Sequence, residues 1–482
     1  MTILALRSDG NPPARVSTGI ADLDYQIEGG FPKGSLILLA GNPGSGKTIF
    51  AGSFLHDGIA RFNEKGIYAS FAEGHDSFCS NMERFGFGFR KMGDAGSFSF
   101  LDLLTVKGEG MPEVTEAIVS EVFSLGASRL VIDSFSAMAQ AFPQAIEARS
   151  VLHTVLGKVI RQAGCTTLLI SEVPIGTSRL GLGIEEFVAD GVLRFSQKNM
   201  EGRTLRLLEV HKLRGTRIGK RQHVFTLDKG FKLLKPFEPH LLRDGGTFEP
   251  TTSQGPCYST GIRDLDAILG GGFRRGSHNL LEVSEDVSIE ALIGFLTPVI
   301  SNSIGHGDPV MCIPVLGMFP EELQEALRNH VGNGGLANMQ IFDFTGRNSP
   351  NTLSSSSATI LQAFDTFWKS WRKLRKNPGS HVLGILGFGT LEAKYAKELQ
   401  ALQALADETI AKVRSGGDVM LSIARPFSNT LRQLASASDT HLKLTQLDDM
   451  LCLSGVKPRT DHYGARLCKT NDHLRLELKQ IL

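Results

Sequence analysis

The sequence predicts two consecutive doubly wound α/β domains, with mostly parallel central sheets and helices on both faces. Three observations predict this fold class: a phosphate-binding loop between an apolar run and a helical pattern, a repeated segment, and an alternation of short apolar runs with helical patterns. The chain has 482 residues, which is enough for two domains that each bury their own core.

The phosphate-binding loop is the most specific of these features. Residues 41–48 read GNPGSGKT, a complete G-x-x-x-x-G-K-[ST] pattern. Glycines let backbone N–H groups turn toward phosphate oxygens, and the N-terminus of the following helix adds partial positive charge. Lys47 is predicted to reach the β- and γ-phosphates of a nucleotide, and the Thr48 hydroxyl is predicted to ligate Mg²⁺. The predicted nucleotide-binding residues are Gly41, Asn42, Pro43, Gly44, Ser45, Gly46, Lys47 and Thr48.

A repeated segment indicates that the chain contains the same module twice. Residues 16–36 (VSTGIADLDYQIEGGFPKGSL) and 258–278 (YSTGIRDLDAILGGGFRRGSH) share their identities at a constant offset of 242 positions. The segment between the modules is polar and rich in Gly, Thr and Pro, as linkers are. The predicted organisation is an N-terminal extension over 1–13, a first domain over 14–238, a linker over 239–257 and a second domain over 258–482.

Short apolar runs in both modules predict buried parallel strands, and the segments between them predict helices. In the first domain the predicted strands are 67–71, 98–101, 130–133 and 166–171, with helical patterns around 48–62, 75–86, 113–125 and 145–163 and a smaller antiparallel part over 191–196, 204–212 and 222–227. In the second domain the predicted strands are 310–314, 339–344, 382–387 and 419–423.

Two acidic residues at predicted strand ends complete a candidate catalytic site. Asp133 ends the run LVID and is predicted to hold the Mg²⁺ shell through water, beside Thr48. The alternative for Asp133 is a cap of the next helix. Glu73 follows the run IYASFA and is predicted to orient and deprotonate the water that attacks the γ-phosphate. The alternative for Glu73 is a solvated side chain at a turn.

The second module lacks this chemistry. At the constant offset, residues 282–290 read EVSEDVSIE, so Ile289 stands where Lys47 stands and neither framing glycine is kept. The acidic residues of this segment would repel phosphate groups. The counterpart of Asp133 is predicted at about Leu386, which cannot ligate a metal ion. We therefore expect that the second domain does not bind ATP in the usual way.

The ordered motifs of the first domain resemble those of the KaiC family of RecA-like ATPases. Residues 16–235 carry STGIADLDYQIEGGFPKGS, GNPGSGKT, YASFAEG, VIDSFSAM, GIEEFVADGV and LEVHKLRGT in the order and spacing of that family. The resemblance implies two tandem RecA-like domains, ATP and Mg²⁺ as ligands, and ATPase activity. It also implies a homo-oligomer, a hexameric ring that holds ATP at its subunit interfaces.

The same resemblance assigns a role to Lys212 and Arg214 in HKLRGT. The matching pair in the family reaches the γ-phosphate of the neighbouring subunit; the alternative is two exposed basic residues on an edge strand. The chain departs from the family where a single glutamate, Glu73, replaces two adjacent ones, so slow turnover is expected. The second domain keeps the Lys-x-Arg spacing at Lys457 and Arg459, either as a relic or as a pair that acts on a first-domain site.

The leading functional hypothesis is a cytoplasmic KaiC-like ATPase. Its first domain would slowly hydrolyse Mg-ATP to drive assembly or a conformational output, read by an unknown regulatory protein partner, with the second domain as scaffold or regulator. Lys plus Arg number 51 against 50 for Asp plus Glu, so the overall charge favours neither a nucleic-acid nor a membrane partner. The N-terminus lacks the apolar stretch of a signal peptide.

Two alternatives belong to other functional classes. The first is a DNA recombination or repair mediator related to RecA paralogues, which the charge balance does not favour. The second is a non-hydrolysing nucleotide switch in transcription regulation, similar to GvpD, against which Glu73 argues. Autokinase activity is not expected, because the second domain lacks the ATP site despite Ser436 and Ser438.

Overall fold

The structure is a computed structural model of the 482-residue chain. It describes residues 14–103, 111–139, 154, 161–173, 185–200, 202–243, 246–253, 255–344, 351–354, 359–375, 381–470 and 473–481. Within those ranges, none of the helices combines the length and the apolar character that a bilayer crossing requires. The chain divides into two compact units, of which the first ends at Leu234 and the second spans Lys235–Gln480.

The first unit is built on a nine-stranded sheet, with a separate two-stranded ribbon formed by β1 and β2. Its strands are β1 (Arg15–Val16), β2 (Phe31–Pro32), β3 (Leu36–Gly41), β4 (Gly66–Ser70), β5 (Phe98–Asp102), β6 (Arg129–Asp133), β7 (Thr166–Glu172), β8 (Gly191–Met200), β9 (Arg203–Leu213), β10 (Gln222–Thr226) and β11 (Lys232–Leu233). Its helices are α1 (Ala21–Gln26), α2 (Lys47–Phe62), α3 (His75–Glu83), α4 (Phe89–Asp94), α5 (Met111–Leu125), α6 (Phe135–Ala139) and α7 (Glu185–Val188).

The second unit is built on a ten-stranded sheet and a ribbon of β12 and β13. Its strands are β12 (Cys257–Tyr258), β13 (Phe273–Arg274), β14 (Ser277–Val283), β15 (Val310–Ile313), β16 (Met339–Asp343), β17 (Thr352–Ser354), β18 (Leu383–Gly387), β19 (Val419–Ala424), β20 (Thr440–Leu447), β21 (Met450–Lys457), β22 (His462–Thr470) and β23 (His473–Gln480). Its helices are α8 (Arg263–Leu269), α9 (Ile289–Gly305), α10 (Pro320–Leu336), α11 (Ile360–Leu374), α12 (Phe388–Lys394), α13 (Leu399–Gly416) and α14 (Leu431–Ala437).

Both sheets share one strand order, to which the second sheet adds β17 at one end. The first runs β5-β4-β6-β7-β3-β8-β9-β10-β11, and the second runs β17-β16-β15-β18-β19-β14-β20-β21-β22-β23. Strands from β5 to β8 in the first sheet, and from β17 to β20 in the second, pair in parallel; the remaining strands pair antiparallel. The predicted fold class, two doubly wound α/β domains with mostly parallel sheets, is confirmed.

Each central strand contributes side chains to two hydrophobic cores, because successive side chains of a strand point to opposite faces of the sheet. In the first unit, Ile37 and Leu39 of β3 pack in one core with α2, while Leu38 packs in the other core with α5. In the second unit, Leu281 of β14 packs with α9 and Leu280 packs with α11 and α13. Helices therefore cover both faces of each sheet, and the loops at its edges remain available for a site.

Two expectations from the sequence need comment. The antiparallel part predicted over 191–227 is present as β8, β9 and β10. Because β8 also pairs in parallel with β3, this part continues the same sheet. The helix predicted around 145–163 falls largely outside the described residues.

Candidate nucleotide site

The predicted phosphate-binding loop connects β3 to α2, as the sequence indicated. Gly46 adopts a left-handed conformation with φ of 98°, and a Cβ there would lie 3.2 Å from the ring of Phe225. A Cβ at Gly41 would lie 2.3 Å from the carbonyl oxygen of Phe195. Gly41 is therefore required by space and Gly46 by its backbone conformation. The loop is also braced from β8, where Gln197 Nε2 donates a 2.7 Å hydrogen bond to the Gly44 carbonyl.

Lys47, the first residue of α2, is folded into this loop. Its ammonium donates 2.8 Å hydrogen bonds to the carbonyl oxygens of Gly41 and Asn42, and the residue is only 6% exposed. Burial lowers the pKa of Lys47, while the nearby carboxylates of Glu172 and Asp133 raise it. The lysine is thus held as a buried cation between the loop and two acidic strand ends.

Asp133 lies at the end of β6 beside the start of α2. Thr48 Oγ1 donates a 3.1 Å hydrogen bond to Asp133 Oδ2, and the Tyr68 hydroxyl donates a 2.5 Å hydrogen bond to the same oxygen. Burial raises the pKa of Asp133, and the hydrogen bonds from Tyr68 and Thr48 act in the opposite direction. A hydroxyl and a carboxylate brought together in this way are oxygen ligands of the kind that Mg²⁺ prefers. The residues present therefore fit a Mg²⁺ ion.

Glu73 lies just beyond the end of β4, the strand next to β6. Ser70, the last residue of β4, pairs with Asp133, and its hydroxyl accepts a 3.0 Å hydrogen bond from the backbone N–H of Glu73. The carboxylate of Glu73 accepts hydrogen bonds from Ser77 Oγ at 3.2 Å and Asn81 Nδ2 at 3.3 Å. Glu73 thus lies at the same edge of the sheet as Asp133, with its side chain bonded to α3.

Lys212 and Arg214 lie at the opposite edge of the sheet from the phosphate-binding loop. The Lys212 ammonium donates to the carbonyls of Glu186 at 3.0 Å and Ala189 at 2.8 Å. Arg214, just beyond the end of β9, contacts Asp190 at 3.6 Å, and Asp190 in turn accepts a hydrogen bond from the N–H of Leu36.

Leu36 is the first residue of β3 and the loop begins after its last residue, Gly41. Five residue steps at about 3.3 Å separate these two ends, roughly 16 Å along the strand. The structure therefore brings Lys47, Thr48 and Asp133 together and places Glu73 at their edge. It holds Lys212 and Arg214 apart from the loop of the same chain.

Reasoning from the sequence missed two residues of this cluster, Tyr68 and Glu172. Glu172 ends β7 directly beside Gly41, with which it pairs. Its signal was present in the sequence, because it closes the apolar run TTLLIS as Asp133 closes LVID. Tyr68 gave no such signal, since an aromatic residue inside a buried strand is ordinary core.

The second unit replaces each of these chemical groups at the equivalent edge. Leu39 pairs with Ile170, which pairs with Asp133; at the constant offset, Leu281 pairs with Ile423, which pairs with Gly387. The counterpart of Asp133 is therefore Gly387, one residue beyond the predicted Leu386, and it carries no ligand. The correction arises because strand register, rather than sequence spacing, fixes the equivalent position.

Apolar and capping contacts fill the space of the second-unit loop. Ile313 is the register counterpart of Ala69, and Gly317 follows Ile313 by the same number of residues as Glu73 follows Ala69. The Ile289 side chain lies 3.7 Å from the position of a Cβ at Gly317. Ser288, where the first unit has Gly46, caps α9 with its own side chain, which accepts a 3.1 Å hydrogen bond from the N–H of Ala291. The N–H of Ala291 in the first turn of α9 is thus bonded within the chain.

An arginine occupies the second-unit loop. Arg425 directly follows β19, at the position that corresponds to Glu172 in the first unit. Its guanidinium donates to the carbonyl oxygens of Ser284 and Val287. Burial lowers the pKa of Arg425, while the nearby charges of Asp286 and Glu285 raise it. The loop of the second unit thus binds a cation through its carbonyl groups, whereas a phosphate-binding loop binds an anion through its amide groups. That the second domain does not bind ATP in the usual way stays a prediction.

Lys457 repeats the local geometry of Lys212. Its ammonium donates to the carbonyls of Ala435 at 2.7 Å, Ser436 at 3.4 Å and Ser438 at 3.3 Å, at the end of α14. Both lysines therefore bind the carbonyl end of a helix, an arrangement that suits a cation. Whether Lys457 and Arg459 act on a first-domain site stays a hypothesis.

The fold and this edge define the first unit as a P-loop nucleotide-binding domain of the doubly wound α/β class. A family model described as "ATPase: KaiC" matches residues 16–235. A UPF0273 protein of Methanocaldococcus jannaschii is 31% identical over 228 residues, which cover 44% of this chain and 93% of that protein. A UPF0273 protein of Pyrococcus furiosus is 32% identical over 251 residues, covering 49% and 98%. The chain belongs to the KaiC-like family of ATPases.

Two further similarities were found. The circadian clock oscillator protein KaiC of Thermosynechococcus vestitus is 31% identical over 272 residues, which are 55% of this chain and 51% of that protein. This chain thus matches about half the length of that relative. A KaiC-like protein from Pyrococcus horikoshii of known crystal structure is 32% identical, with 46% of this chain and all of that chain covered, at a TM-score of 0.43.

Proposed function

We propose that this protein binds and slowly hydrolyses Mg-ATP in its first domain, in a hexameric ring that holds ATP between neighbouring subunits. The observation that carries the proposal is the hydrogen bond of 3.1 Å between Thr48 and Asp133, which joins the phosphate-binding loop to a strand-ending carboxylate. The hydrolysis would drive assembly or a conformational output that a regulatory protein partner reads in the cytoplasm.

The residues of the site have distinct roles in this proposal. Loop amides and Lys47 bind the β- and γ-phosphates, and the Thr48 hydroxyl and Asp133, the latter through water, would hold Mg²⁺. Bound Mg²⁺ supplies neutralisation of phosphate charge. Glu73 orients a water in line with the γ-phosphate and accepts its proton, for which its carboxylate must leave Ser77 and Asn81. That rearrangement is consistent with slow turnover.

The opposite-edge position of Lys212 and Arg214 supports action on a neighbouring subunit. About 16 Å of strand separate the two edges, so these cations do not serve the loop of their own chain. In a ring, the edge that carries them would face the loop of the next subunit, where they stabilise charge that develops on the γ-phosphate. The second domain, whose loop is bonded to Arg425, acts as scaffold or regulator.

The test is steady-state ATP hydrolysis by the full chain, with the mass of the assembly recorded with and without Mg-ATP. Lys47→Ala is expected to lose hydrolysis and ATP-dependent assembly, because it removes the phosphate-binding cation. The matched control is Ile289→Ala at the same position of the second domain, which is expected to keep both. Binding and assembly without turnover in the wild type would instead support the nucleotide switch.

Mixing variants tests the interface. Glu73→Gln keeps ATP binding and intact Lys212 and Arg214, whereas Lys212→Met keeps an intact loop and Glu73; each alone is expected to be inactive. In mixed rings some loops would face intact cations, so part of the activity should return. If mixing restores no hydrolysis although mass measurements show mixed assemblies, the cations do not act across the interface.

A further inference from the structure

The Tyr68 hydroxyl makes a shorter hydrogen bond than Thr48 does to Asp133, the candidate Mg²⁺ carboxylate. It lies on β4, two residues before the strand end, and donates a 2.5 Å hydrogen bond to Asp133 Oδ2 on the neighbouring strand β6. Thr48 donates to the same oxygen at 3.1 Å. Asp133 Oδ1 is outside both of these bonds. A bond that fixes one carboxylate oxygen also fixes the direction of the other.

The ring of Tyr68 is held in place on both sides. Tyr68 is fully buried, its ring centroid lies 4.2 Å from that of Phe78, and it stacks on Phe100 at 5.8 Å with an interplanar angle of 6°. Burial and packing restrict the ring to one orientation, so the hydroxyl has a fixed position. The hydrogen bond to Asp133 is therefore built into the core of the domain.

The second unit has lost both members of this pair. The register that equates Asp133 with Gly387 also equates Tyr68 with Cys312, since Tyr68 pairs with Val131 and Cys312 pairs with Ile385. The first unit thus has both the phenol and the carboxylate, and the second unit has neither. A phenol needed only to fill the core would have no reason to follow the carboxylate.

We propose that Tyr68 is a positioning residue that orients Asp133 toward the Mg²⁺ shell and thereby sets the affinity of the first-domain site for Mg²⁺. This inference rests on the proposed ATPase function. Groups that orient metal ligands in this way typically change metal affinity by about 10- to 100-fold when removed. Tyr68 acts through Asp133 and does not touch the nucleotide.

The experiment is a Mg²⁺ titration of the affinity for a fluorescent ADP analogue, made with the full chain. Tyr68→Phe keeps the ring and removes the hydroxyl. Its half-saturating Mg²⁺ concentration is expected to rise about tenfold, while affinity for the analogue in excess EDTA stays within about twofold of the wild type. An unchanged Mg²⁺ midpoint would overturn the inference.

Matched variants separate positioning from loss of stability. Tyr258→Phe removes a buried phenol of the second unit that donates a 2.6 Å hydrogen bond to Ser303 Oγ, and it should leave the Mg²⁺ midpoint unchanged. If Tyr68→Phe does not fold, Phe100→Leu keeps the hydroxyl but removes the ring that stacks on Tyr68, and a rise in the Mg²⁺ midpoint is again expected. Failure of the wild type to bind the analogue, or to respond to Mg²⁺, would refute the proposed function itself; a wild-type response that Tyr68→Phe shares would refute only the role of Tyr68.

Discussion

The two units of this chain share a scaffold and differ in chemistry. In the first, Ser17 Oγ donates to Asp24 Oδ2 at 2.7 Å; in the second, Ser259 Oγ donates to Asp266 Oδ2 at 2.5 Å. These bonds hold the turn before each short helix, at the constant offset of 242 positions. The hydrogen bonds that shape the repeated turn are thus kept in both units.

A second retained network spans the start of each central strand. The carboxylate of Asp190 accepts a 3.0 Å hydrogen bond from the N–H of Leu36, and that of Asp439 accepts a 3.0 Å hydrogen bond from the N–H of His278. Lysine, threonine and both acidic strand ends of the nucleotide edge have no such counterpart in the second unit. The comparison teaches that the fold depends on one set of residues and the candidate chemistry on another.

The largest expected effect concerns the group that the second unit lacks at Gly317. Glu73→Gln keeps the size of the side chain but removes the base, so ATP hydrolysis should fall at least about 100-fold while ATP binding is kept. Steady-state hydrolysis and equilibrium binding measure the two. Glu290→Gln, which changes a carboxylate at the second-unit position equivalent to Thr48, is the control and should change neither. If Glu73→Gln hydrolyses ATP at the wild-type rate, the carboxylate of Glu73 is not the group that distinguishes the first unit from the second.

A pH effect is expected in the second unit at His278, whose counterpart in the first unit is Leu36. Burial lowers the pKa of His278 to about 4, and the nearby charge of Asp439 raises it while those of Arg414 and Lys457 lower it. Because the unfolded imidazole has a pKa of about 6.5, it takes up a proton below that pH that the folded state excludes. The contribution of the neutral His278 to the free energy of unfolding is fully present above pH 6.5. It is lost as the pH falls toward 4, by about 3 kcal/mol in total.

The measurement is denaturation followed by tryptophan fluorescence. Both tryptophans of the chain, Trp368 and Trp371, lie on α11 of the second unit, so the signal reports that unit. The difference in unfolding free energy between the wild type and His278→Leu should change with pH over this window. If this difference in unfolding free energy stays constant with pH, the buried imidazole of His278 does not make the stability of the second unit depend on pH.

The smallest expected effect concerns the arginine in the second-unit loop. Arg425→Met leaves the carbonyl oxygens of Ser284 and Val287 without their charged donor. The free energy of unfolding should fall by about 1 kcal/mol, since the site is partly exposed to water. Tryptophan-detected unfolding measures this loss, and an ATP-binding assay should detect no gain of nucleotide binding in the second unit. Binding gained by this single change would mean that Arg425 alone blocks a competent loop.

Part of the fold and of the candidate site can be predicted from local patterns in the sequence. The glycine-framed loop at 41–48, the strand-ending Asp133 and the period of the apolar runs are each written within a few neighbouring residues, and the repeat needs only a constant offset. These were sufficient for the fold class and for the cluster of Lys47, Thr48 and Asp133.

Contacts between residues that are distant in the sequence could not be predicted in this way. Tyr68 and Asp133 are 65 positions apart, and Arg425 and Ser284 are 141 positions apart, so no spacing in the sequence joins them. The same holds for the edge that carries Lys212 and Arg214. Parallel strands bring such residues together through their pairing register, which is set by the packing of both faces of the sheet and not by local propensity.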